Sequence, residues 1–301
     1  MALADPYAAP DPLETSPVPE RVNYATGVML QADDFEAEQT YHRGRLAQLA
    51  RHLLGFGTIA GLRVIRPRAD DNLLELQVAP GLALDRHGRL IEVHEAQCIR
   101  LAAWFAAQNP QKLRAATHDA PRTPLPQAVV ADVFLSARTC GRGKTPSFAS
   151  GPFDALDALV PARLAENPQL DLVLRMEGNI PPDDLSAVAG DIPLPVNFWP
   201  ASGASATAIR EAVLGSWDIG FASTAGESLD PLGEHVAGNE PSAVLLARVA
   251  IPVTLDRAAP GSPAPLLDVT QRVELDQSIR PLIHFAGKWL GLAPTAAPPD
   301  A

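Results

Sequence analysis

Two glycine-containing segments have residue types that could bind a phosphate group. The first, Gly55-x-Gly57-x-x-Ala60, matches a relaxed form of the dinucleotide-binding fingerprint. That fingerprint must follow a strand and open a helix, because the helix N-terminus then holds the pyrophosphate. In this chain it follows a predicted helix and precedes a predicted strand. We therefore predict that these glycines end a helix and bind no nucleotide cofactor.

The second segment, Gly141-Arg142-Gly143-Lys144-Thr145, has the glycines, lysine and threonine of a phosphate-binding loop. The full pattern also needs a glycine five residues before Gly143, and that position is Arg138. A long helix must follow such a loop, and Pro146 disfavours one. The pattern favours a polar hairpin loop over a nucleotide site.

Two pairs of adjacent carboxylates, Asp70-Asp71 and Asp183-Asp184, could supply an acid and a base. Both pairs lie among proline or other loop residues. Adjacent side chains usually point apart, so we interpret each pair as a solvated turn. A hydrolase that uses these carboxylates is the least supported functional class, and we predict no catalytic residues.

Histidines and cysteines give no metal pattern. His42 and His52 are ten residues apart, too far to share a metal ion, and we expect His42 to be a half-buried hydrogen-bonding residue. Cys98 and Cys140 are too few for a disulfide framework, so we expect two reduced, partly buried thiols. The sequence predicts no metal site and no cofactor.

One long amphipathic helix is the main predicted element of the N-terminal part of the chain. It is predicted to begin at Asp33 and Asp34, whose carboxylates suit a first turn, and to end at Gly55. At about 1.5 Å per residue it would be about 30 Å long, too long for the small sheet that follows to cover it. Its apolar stripe is predicted to contain Phe35, His42, Leu46, Leu49, Leu53 and Leu54.

A small antiparallel sheet is predicted after the helix. Alternating residues indicate strands at 58–65 and 73–79, and a third strand at 90–93 follows a turn at Asp85-Arg86-His87-Gly88. A short strand at 96–101 and a brief helix at 102–108 complete this region.

The second half of the chain is predicted to be rich in strands and proline. The predicted strands are 128–135, 170–176, 244–255 and 266–275. Helical stretches are predicted within 151–165, 206–214 and 278–290. The predicted fold class is α+β, with a long N-terminal helix and small antiparallel sheet followed by a proline-rich, mainly β domain.

The domain organisation follows from composition. We predict a flexible tail (1–22), a docking domain of helix and sheet (23–108), a proline-rich linker (109–127), a β-rich domain (128–291) and a disordered tail (292–301). The 30 prolines among 301 residues are about twice the average share of about 5%. This composition indicates a folded chain with many stiff loops.

Charge and hydropathy exclude several partners. The net charge of −11 argues against nonspecific nucleic-acid binding, which needs a cationic surface. No apolar run approaches the about 18 residues of a membrane span. The first 19 residues lack the basic and apolar regions of a signal peptide, so we expect a cytoplasmic protein.

Three motifs resemble a known family. They are N-Y-x-T-G-x-M-L-x-A-D-D-F-x-x-E-Q-x-Y-H from Asn23, G-F-G-T-I-x-G-L-x-V from Gly55, and P-G-L-A-L-D-x-x-G-R-x-I from Pro80. The pattern resembles an uncharacterised family associated with phage-tail-like contractile injection systems and with phage tail fibre or baseplate regions. The layout is also similar, more loosely, to the N-terminal part of the type VI secretion adaptor that joins baseplate to membrane complex.

The resemblance covers about the first third of the chain. Where relatives often carry cysteines in the turn, this chain has Asp85-Arg86-His87-Gly88. The resemblance implies a structural, non-enzymatic protein that is assembled into a particle, as a baseplate or fibre-attachment adaptor. It implies other tail, baseplate or fibre subunits as partners and a homo-oligomer, with a trimer favoured.

The sequence also predicts an interaction surface, because an exposed apolar helix usually marks a partner. The helix could pack against copies of itself about an assembly axis, or across the second domain of a monomer; the resemblance favours the first arrangement. The predicted interface residues are Tyr24, Met29, Leu30, Phe35, His42, Leu46, Leu49 and Leu53.

The alternative function is a soluble, monomeric β-rich module that recognises carbohydrate or a surface receptor. Phe198, Trp199 and Trp217 lie in predicted irregular loops and could stack on a ligand. Ligand-dependent tryptophan fluorescence would distinguish this module from a structural subunit.

Overall fold

A computed structural model describes part of the chain, and every structural statement below concerns that part. The described residues are 11–15, 18–66, 75–119, 127–146, 159–175, 229, 232, 234–236, 238–255, 264–277 and 279–283. They combine helices with antiparallel sheets and are mostly β, which confirms the predicted mixture of α and β structure.

The described elements include a short 3₁₀ helix, Pro12–Thr15, and three α-helices. The α-helices are α1 (Ala32–Leu54), α2 (Leu101–Ala107) and α3 (Pro110–Ala115). The first strands are β1 (Gly57–Gly61), β2 (Val64–Ile65), β3 (Glu75–Val78), β4 (Gly81–Leu84), β5 (Leu90–Val93), β6 (Gln97–Arg100), β7 (Thr117–Asp119) and β8 (Gln127–Ser136). The later strands are β9 (Thr139–Arg142), β10 (Thr145–Pro146), β11 (Leu159–Val160), β12 (Arg163–Glu166), β13 (Gln169–Leu174), β14 (Val244–Thr254), β15 (Leu266–Leu267) and β16 (Glu274–Asp276).

Local sequence accounts for both ends of α1. The Asp34 carboxylate accepts a hydrogen bond from the backbone N–H of Gln31 (2.8 Å), which satisfies a donor at the helix start. Asp33 and Asp34 lie in the first turn, and Arg51 lies in the last, the polarity that the helix dipole favours. The helix ends at Leu54, as the following glycine predicts.

Two three-stranded antiparallel sheets follow α1 in the chain. One has the order β1-β4-β5 and contains the hairpin predicted at residues 85–88. The other has the order β2-β3-β6. The predicted strand 58–65 is therefore two strands, β1 and β2, that belong to different sheets.

The largest sheet has the order β13-β8-β14-β15, with β16 also paired to β14 and β7 to β8. Its central strands β8 and β14 are buried along almost their whole length, which explains their near-continuous apolar sequences. Two-stranded sheets β9–β12 and β10–β11 lie outside this order.

One hydrophobic cluster contains residues from both sides of the predicted domain boundary. Its buried members include Leu62, Val78 and Val93 from the first region, and Val133 and Leu246 from the second. The small sheets and the large sheet thus share buried apolar contacts.

The segment predicted as a linker contains secondary structure. Within 109–119 the chain forms α3 and β7, and β7 pairs with β8. The Asn109 side chain accepts hydrogen bonds from the backbone N–H groups of Gln111 and Lys112 (2.8 and 3.3 Å), so Asn109-Pro110 starts a helix.

Several predicted elements differ from those observed. Residues 159–160 and 163–166, predicted within a partly helical stretch, form β11 and β12. The predicted strand 266–275 is two short strands, separated by a turn in which Asp268 accepts a hydrogen bond from the backbone N–H of Thr270 (2.9 Å).

The described part of the predicted C-terminal helix is not helical: residues 279–280 form a turn, and residues 281–283 lie along β1. The backbone N–H of Thr58 donates to the Pro281 carbonyl (2.8 Å), and that of Ile283 donates to the Thr58 carbonyl (2.9 Å). These two hydrogen bonds hold residues 281–283 against β1. The predicted helix at 206–214 and the tail at 292–301 lie outside the described residues.

Candidate interaction surface

The eight predicted interface residues fall into separate places on the molecule. Leu46, Leu49 and Leu53 line one groove beside α1. Tyr24, Met29 and Leu30 lie in the segment before the helix, and all three are exposed. Phe35, in the first turns of α1, is also exposed and is not part of the groove lining.

The helix packs on the protein with its small residues rather than with its leucines. Ala47 is its buried residue, and Gly88 in the β4–β5 turn lies against the Ala47 backbone. A Cβ at Gly88 would overlap the Ala47 carbonyl oxygen, so only glycine permits this approach, and its φ of +82° is one that glycine adopts easily.

The apolar stripe lies on a different face of α1 from Ala47, and Ala50 and Leu54, which also line the groove, lie between them. At about 100° per residue, Phe35, His42, Leu46, Leu49 and Leu53 fall within an arc of about 60°, and Ala47 lies more than about 100° from its centre. Leu46, Leu49 and Leu53 are 68%, 57% and 58% exposed. The described elements leave this stripe largely open to solvent.

The groove lies between the leucine stripe of α1 and the sheet β1-β4-β5, and its volume is about 630 Å³. Its apolar lining consists of Leu13, Leu46, Ala47, Leu49, Ala50, Leu53, Leu54, Ile59, Leu84, Leu90, Ile91, Ala137 and Pro168. Its polar and charged lining residues are Asp11, Arg43, Arg89, Glu92, Arg138, Thr139, Glu166 and Asn167. An apolar cleft of this size with a few polar groups is typical of a binding site.

His42 differs from its prediction. It is exposed, not half-buried, because it lies on the open face of α1. It is hydrogen-bonding as expected: its Nε2 lies 3.0 Å from Glu38 Oε1, one helical turn earlier.

The segment 22–31, which we call the arm, precedes α1 and exposes most of its side chains. Met29 is 81% exposed, and Val28 and Tyr24 are also more than half exposed. The Val28 N–H donates to the Ala25 carbonyl (3.2 Å), which closes a turn that contains Gly27 at φ +87°.

The sequence missed a contact at one end of the groove. Residues 12–15, expected in a flexible tail, form the 3₁₀ helix, and Leu13 is buried. The Asp11 carboxylate accepts a hydrogen bond from Arg43 of α1 (2.8 Å), so an ion pair adds to the apolar contact. The sequence signal for this contact is Leu13, an apolar residue that follows Pro12 and lies between the acidic residues Asp11 and Glu14.

Arg89 joins this N-terminal contact to the β4–β5 turn. Its guanidinium contacts the carboxylates of Asp85 (2.7 Å) and Glu14 (3.0 Å) and the Ser242 hydroxyl (3.2 Å). Burial lowers the pKa of Arg89, but the attraction of Asp85 outweighs burial and raises it overall. The side chain remains a cation, and the network fixes the turn beneath α1.

His87 is buried in the same turn. Burial, together with the positive charge of Arg89, lowers the pKa of His87 to about 4. The imidazole is therefore neutral at pH 7, and in this state it adds no charge beside Arg89.

A second buried charge cluster lies in the large sheet. Asp132 on β8 accepts hydrogen bonds from Arg175 Nε (2.6 Å) and from Arg248 Nε and Nη2 (2.7 and 2.9 Å). Arg248 is the cross-strand partner of Asp132 on β14. Both carboxylate oxygens thus accept bonds from guanidinium groups, an arrangement suited to holding strands together.

The two glycine motifs lie at the ends of elements of the fold. Gly55 and Gly57 join α1 to β1, so the order is helix then strand, opposite to a nucleotide fold. Gly141 lies in β9 and Thr145 in β10, and β9 pairs with β12 rather than with β10. Asp70-Asp71, Asp183-Asp184 and the aromatic residues Phe198, Trp199 and Trp217 lie outside the described residues.

Both cysteines are free thiols; Cys140 is partly buried as expected, whereas Cys98 is exposed because its side chain lies on the open face of β6. Within the described part of the chain, no three His, Cys, Asp or Glu side chains are grouped so as to hold a metal ion. None of the helices described is both long and apolar enough to cross a membrane.

No protein-family model and no curated protein matches the chain.

Proposed function

We propose that this chain is a structural, non-enzymatic subunit of a phage-tail-like contractile injection particle, as a baseplate or fibre-attachment adaptor. It assembles in the cytoplasm into a homo-oligomer, with a trimer favoured, and contacts other tail, baseplate or fibre subunits. The observation that carries the proposal is the exposed leucine stripe Leu46, Leu49 and Leu53 beside an open apolar groove. The three sequence motifs that resemble such particle proteins supply the choice of particle.

The physical argument rests on the cost of exposed apolar surface. Full burial of a leucine side chain contributes about 1.5–3 kcal/mol, so covering three leucines that are more than half exposed would contribute about 3–5 kcal/mol. A contiguous patch of this kind usually marks a contact with another protein.

The contacts that hold α1 on the β4–β5 turn support the same role. Gly88 lies against Ala47, and Arg89 ties the turn to Asp85 and Glu14, so the helix has a rigid base at its C-terminal half. In the proposed particle, α1 and the small sheets form the docking module, and the proline-rich β region forms the outer or load-bearing part.

Co-sedimentation tests this proposal. A tagged copy of the chain is expressed in its own organism, particles are sedimented, and the chain is sought in the particle fraction by mass spectrometry. We expect the wild-type chain and a Leu266→Asp control, changed at a position that is 70% exposed and outside the groove, in the particles. The double variant Leu49→Asp/Leu53→Asp should stay in the supernatant.

A wild-type chain that is absent from the particles would overturn the proposal. So would a Leu49→Asp/Leu53→Asp variant that sediments as the wild type does. In either case, the carbohydrate- or receptor-binding alternative would be examined by tryptophan fluorescence.

A further inference from the structure

Residues 11–15, which we call the strap, fill one end of the groove beside α1. Leu13 is 6% exposed, and its side chain lies against Gly44 of α1. A Cβ built on Gly44 would be 3.4 Å from Leu13 Cδ2, so a side chain larger than alanine at this position would meet Leu13. The missing side chain of Gly44 thus leaves a seat for one leucine, which we call the Leu13 seat.

Two arginines flank the Leu13 seat. Arg43 of α1 donates to the Asp11 carboxylate (2.8 Å), and Arg89 of the β4–β5 turn contacts the carboxylates of Asp11 (3.6 Å) and Glu14 (3.0 Å). Arg89 also contacts the Asp85 carboxylate (2.7 Å), which holds it in place when the strap is absent. Two guanidinium groups beside a leucine seat form a site that fits an acidic segment with one leucine.

The strap is held by side chains and keeps its own backbone hydrogen bonds. The Leu13 N–H donates to the Asp11 carboxylate (3.1 Å), and the Glu14 N–H donates to the Asp11 carbonyl (3.0 Å). The side chain of Arg43 is 43% exposed, so solvent weakens its ion pair with Asp11. The strap can therefore leave the seat with its internal hydrogen bonds intact.

The chain between the strap and α1 contributes little burial. Residues 18–31 are exposed except Val22, which is half-buried. These 14 residues span about 45–50 Å when extended, so a strap that has left the seat can move clear of it while it stays tethered to α1. A tethered segment of this kind returns to its site at an effective concentration of about a millimolar.

We propose that the Leu13 seat, with Arg43 and Arg89, is a binding site for a short acidic protein segment that carries one leucine, and that the strap is its displaceable occupant. In the assembled particle, such a segment of a partner subunit replaces the strap. The strap itself shows which chemistry the site accepts, because it presents two carboxylates to the arginines and one leucine to the seat. The inference rests on the proposed function only for the identity of the partner as a particle subunit.

The strap controls access to one end of the groove. Asp11 and Leu13 line the same groove as the leucine stripe of α1. While the strap is seated, this end is closed; when the strap leaves, the groove extends to Gly44. A partner segment must compete with the strap, so segments without the acidic groups and the leucine are rejected.

Peptide binding to full-length chains tests the inference. The probe is a fluorescein-labelled peptide of residues 9–18, and its binding is measured by fluorescence anisotropy. The substitution Leu13→Lys in the chain removes the leucine of the strap and places a cation beside the two arginines. We expect the peptide to bind this variant at least ten-fold more tightly than the wild-type chain. A strap that is seated in more than nine of ten wild-type molecules weakens an outside competitor by about that factor.

Further substitutions in the Leu13→Lys chain locate the bound peptide. Gly44→Leu fills the seat and should weaken peptide binding at least ten-fold. Arg43→Gln removes one guanidinium and should weaken binding about five-fold. Arg45→Gln is the matched control, because Arg45 is exposed on the same helix and donates to Gln48; it should leave binding unchanged. A peptide with Leu13→Lys should bind none of these chains.

Circular dichroism melts establish whether each variant is folded. Equal binding of the peptide to the wild-type and Leu13→Lys chains would overturn the inference, and so would a folded Leu13→Lys chain that binds no peptide. A Leu13→Lys chain that unfolds would show that the strap belongs to the core. The Asp11→Asn/Glu14→Gln chain, which keeps the leucine and loses both carboxylates, is a second receptor and should bind the peptide about three-fold more tightly than wild type.

Failure of the proposed function gives a different result. A chain that binds the peptide as expected but never sediments with particles keeps the strap site and loses its role as a particle subunit. A chain that sediments with particles, but whose Leu13→Lys variant binds no peptide, keeps the role and loses the site.

Discussion

Gly88 in the β4–β5 turn lies directly against the backbone of Ala47 in α1, with no side chain between them. This contact sets the rotation of the helix: its small residues face the protein, and its leucine stripe faces the groove. The interaction surface is therefore a consequence of one close backbone approach.

The substitution Gly88→Ala should separate the helix from the turn. The added Cβ overlaps the Ala47 carbonyl and also strains a backbone at φ +82°. Together these effects should lower the free energy of unfolding by about 3 kcal/mol or more. Urea denaturation measures the change.

Gly27→Ala is the matched control for that substitution. Gly27 also has a positive φ, +87°, but a Cβ there would meet nothing within 4 Å. It should cost only the backbone strain, about 1–2 kcal/mol. Equal losses for the two variants would show that the contact with Ala47 is unimportant.

The Asp132→Asn substitution should destabilise the large sheet. It leaves the buried guanidinium groups of Arg175 and Arg248 without their carboxylate, and breaking such a cluster costs about 3–5 kcal/mol. Glu75→Gln is the control, because its ion pair with Arg100 is exposed and should contribute less than about 1 kcal/mol. Similar denaturation midpoints for both variants would contradict a structural role for Asp132.

The stability of the chain should fall on acidification, in part through His87. Its pKa is about 4 in the folded chain and near its usual 6.5 in the unfolded chain. Between pH 6.5 and pH 4, His87 therefore binds a proton in the unfolded chain but not in the folded chain. The contribution of His87 is fully present above pH 6.5 and is lost as pH falls toward 4.

The His87→Gln substitution isolates this effect. Between pH 7 and pH 5, the wild-type free energy of unfolding should fall by about 2 kcal/mol more than that of the variant. Burial also lowers the pKa of His235 and His52, but both histidines are present in each protein, so the difference reports His87. Identical pH profiles would mean that His87 is not buried in the neutral form.

The sequence predicts local elements well where several signals agree. Asp33 and Asp34 at the start, a regular apolar stripe and a glycine after Leu54 together indicate α1, and the structure has it at Ala32–Leu54. The hairpin at 85–88 and the buried strands β8 and β14 are likewise predicted from turn residues and apolar runs. Each of these signals lies within the element that it predicts.

Other features depend on parts of the chain that are distant in sequence. Asp132 meets Arg248, 116 residues later, only because β8 and β14 pair in one register. Helical periodicity shows that Leu46 and Leu49 share a face, but the contact with Gly88 decides where that face points. Helix α3 is not predicted, because the prolines near Asn109 favour a linker, although an Asn-Pro pair can also start a helix.

The leucine stripe should be dispensable for folding. Leu49→Asp changes an exposed side chain, so the melting temperature should stay within about 2 °C of that of the wild-type chain measured at a concentration low enough for it to be monomeric, and only assembly should weaken. Ala47→Asp, two residues away on the packed face, should unfold the region by placing a carboxylate against the Gly88 turn. Circular dichroism melts distinguish the two. A Leu49→Asp variant that unfolds would place the stripe in the core.

The solution mass of the purified wild-type chain tests the central claim most directly. Light scattering after size exclusion, over a range of concentrations, should give three times the chain mass of 31.9 kDa. The Leu49→Asp variant should shift toward a single chain under the same conditions. A wild-type chain that remains monomeric at every concentration would contradict assembly through the leucine stripe of α1.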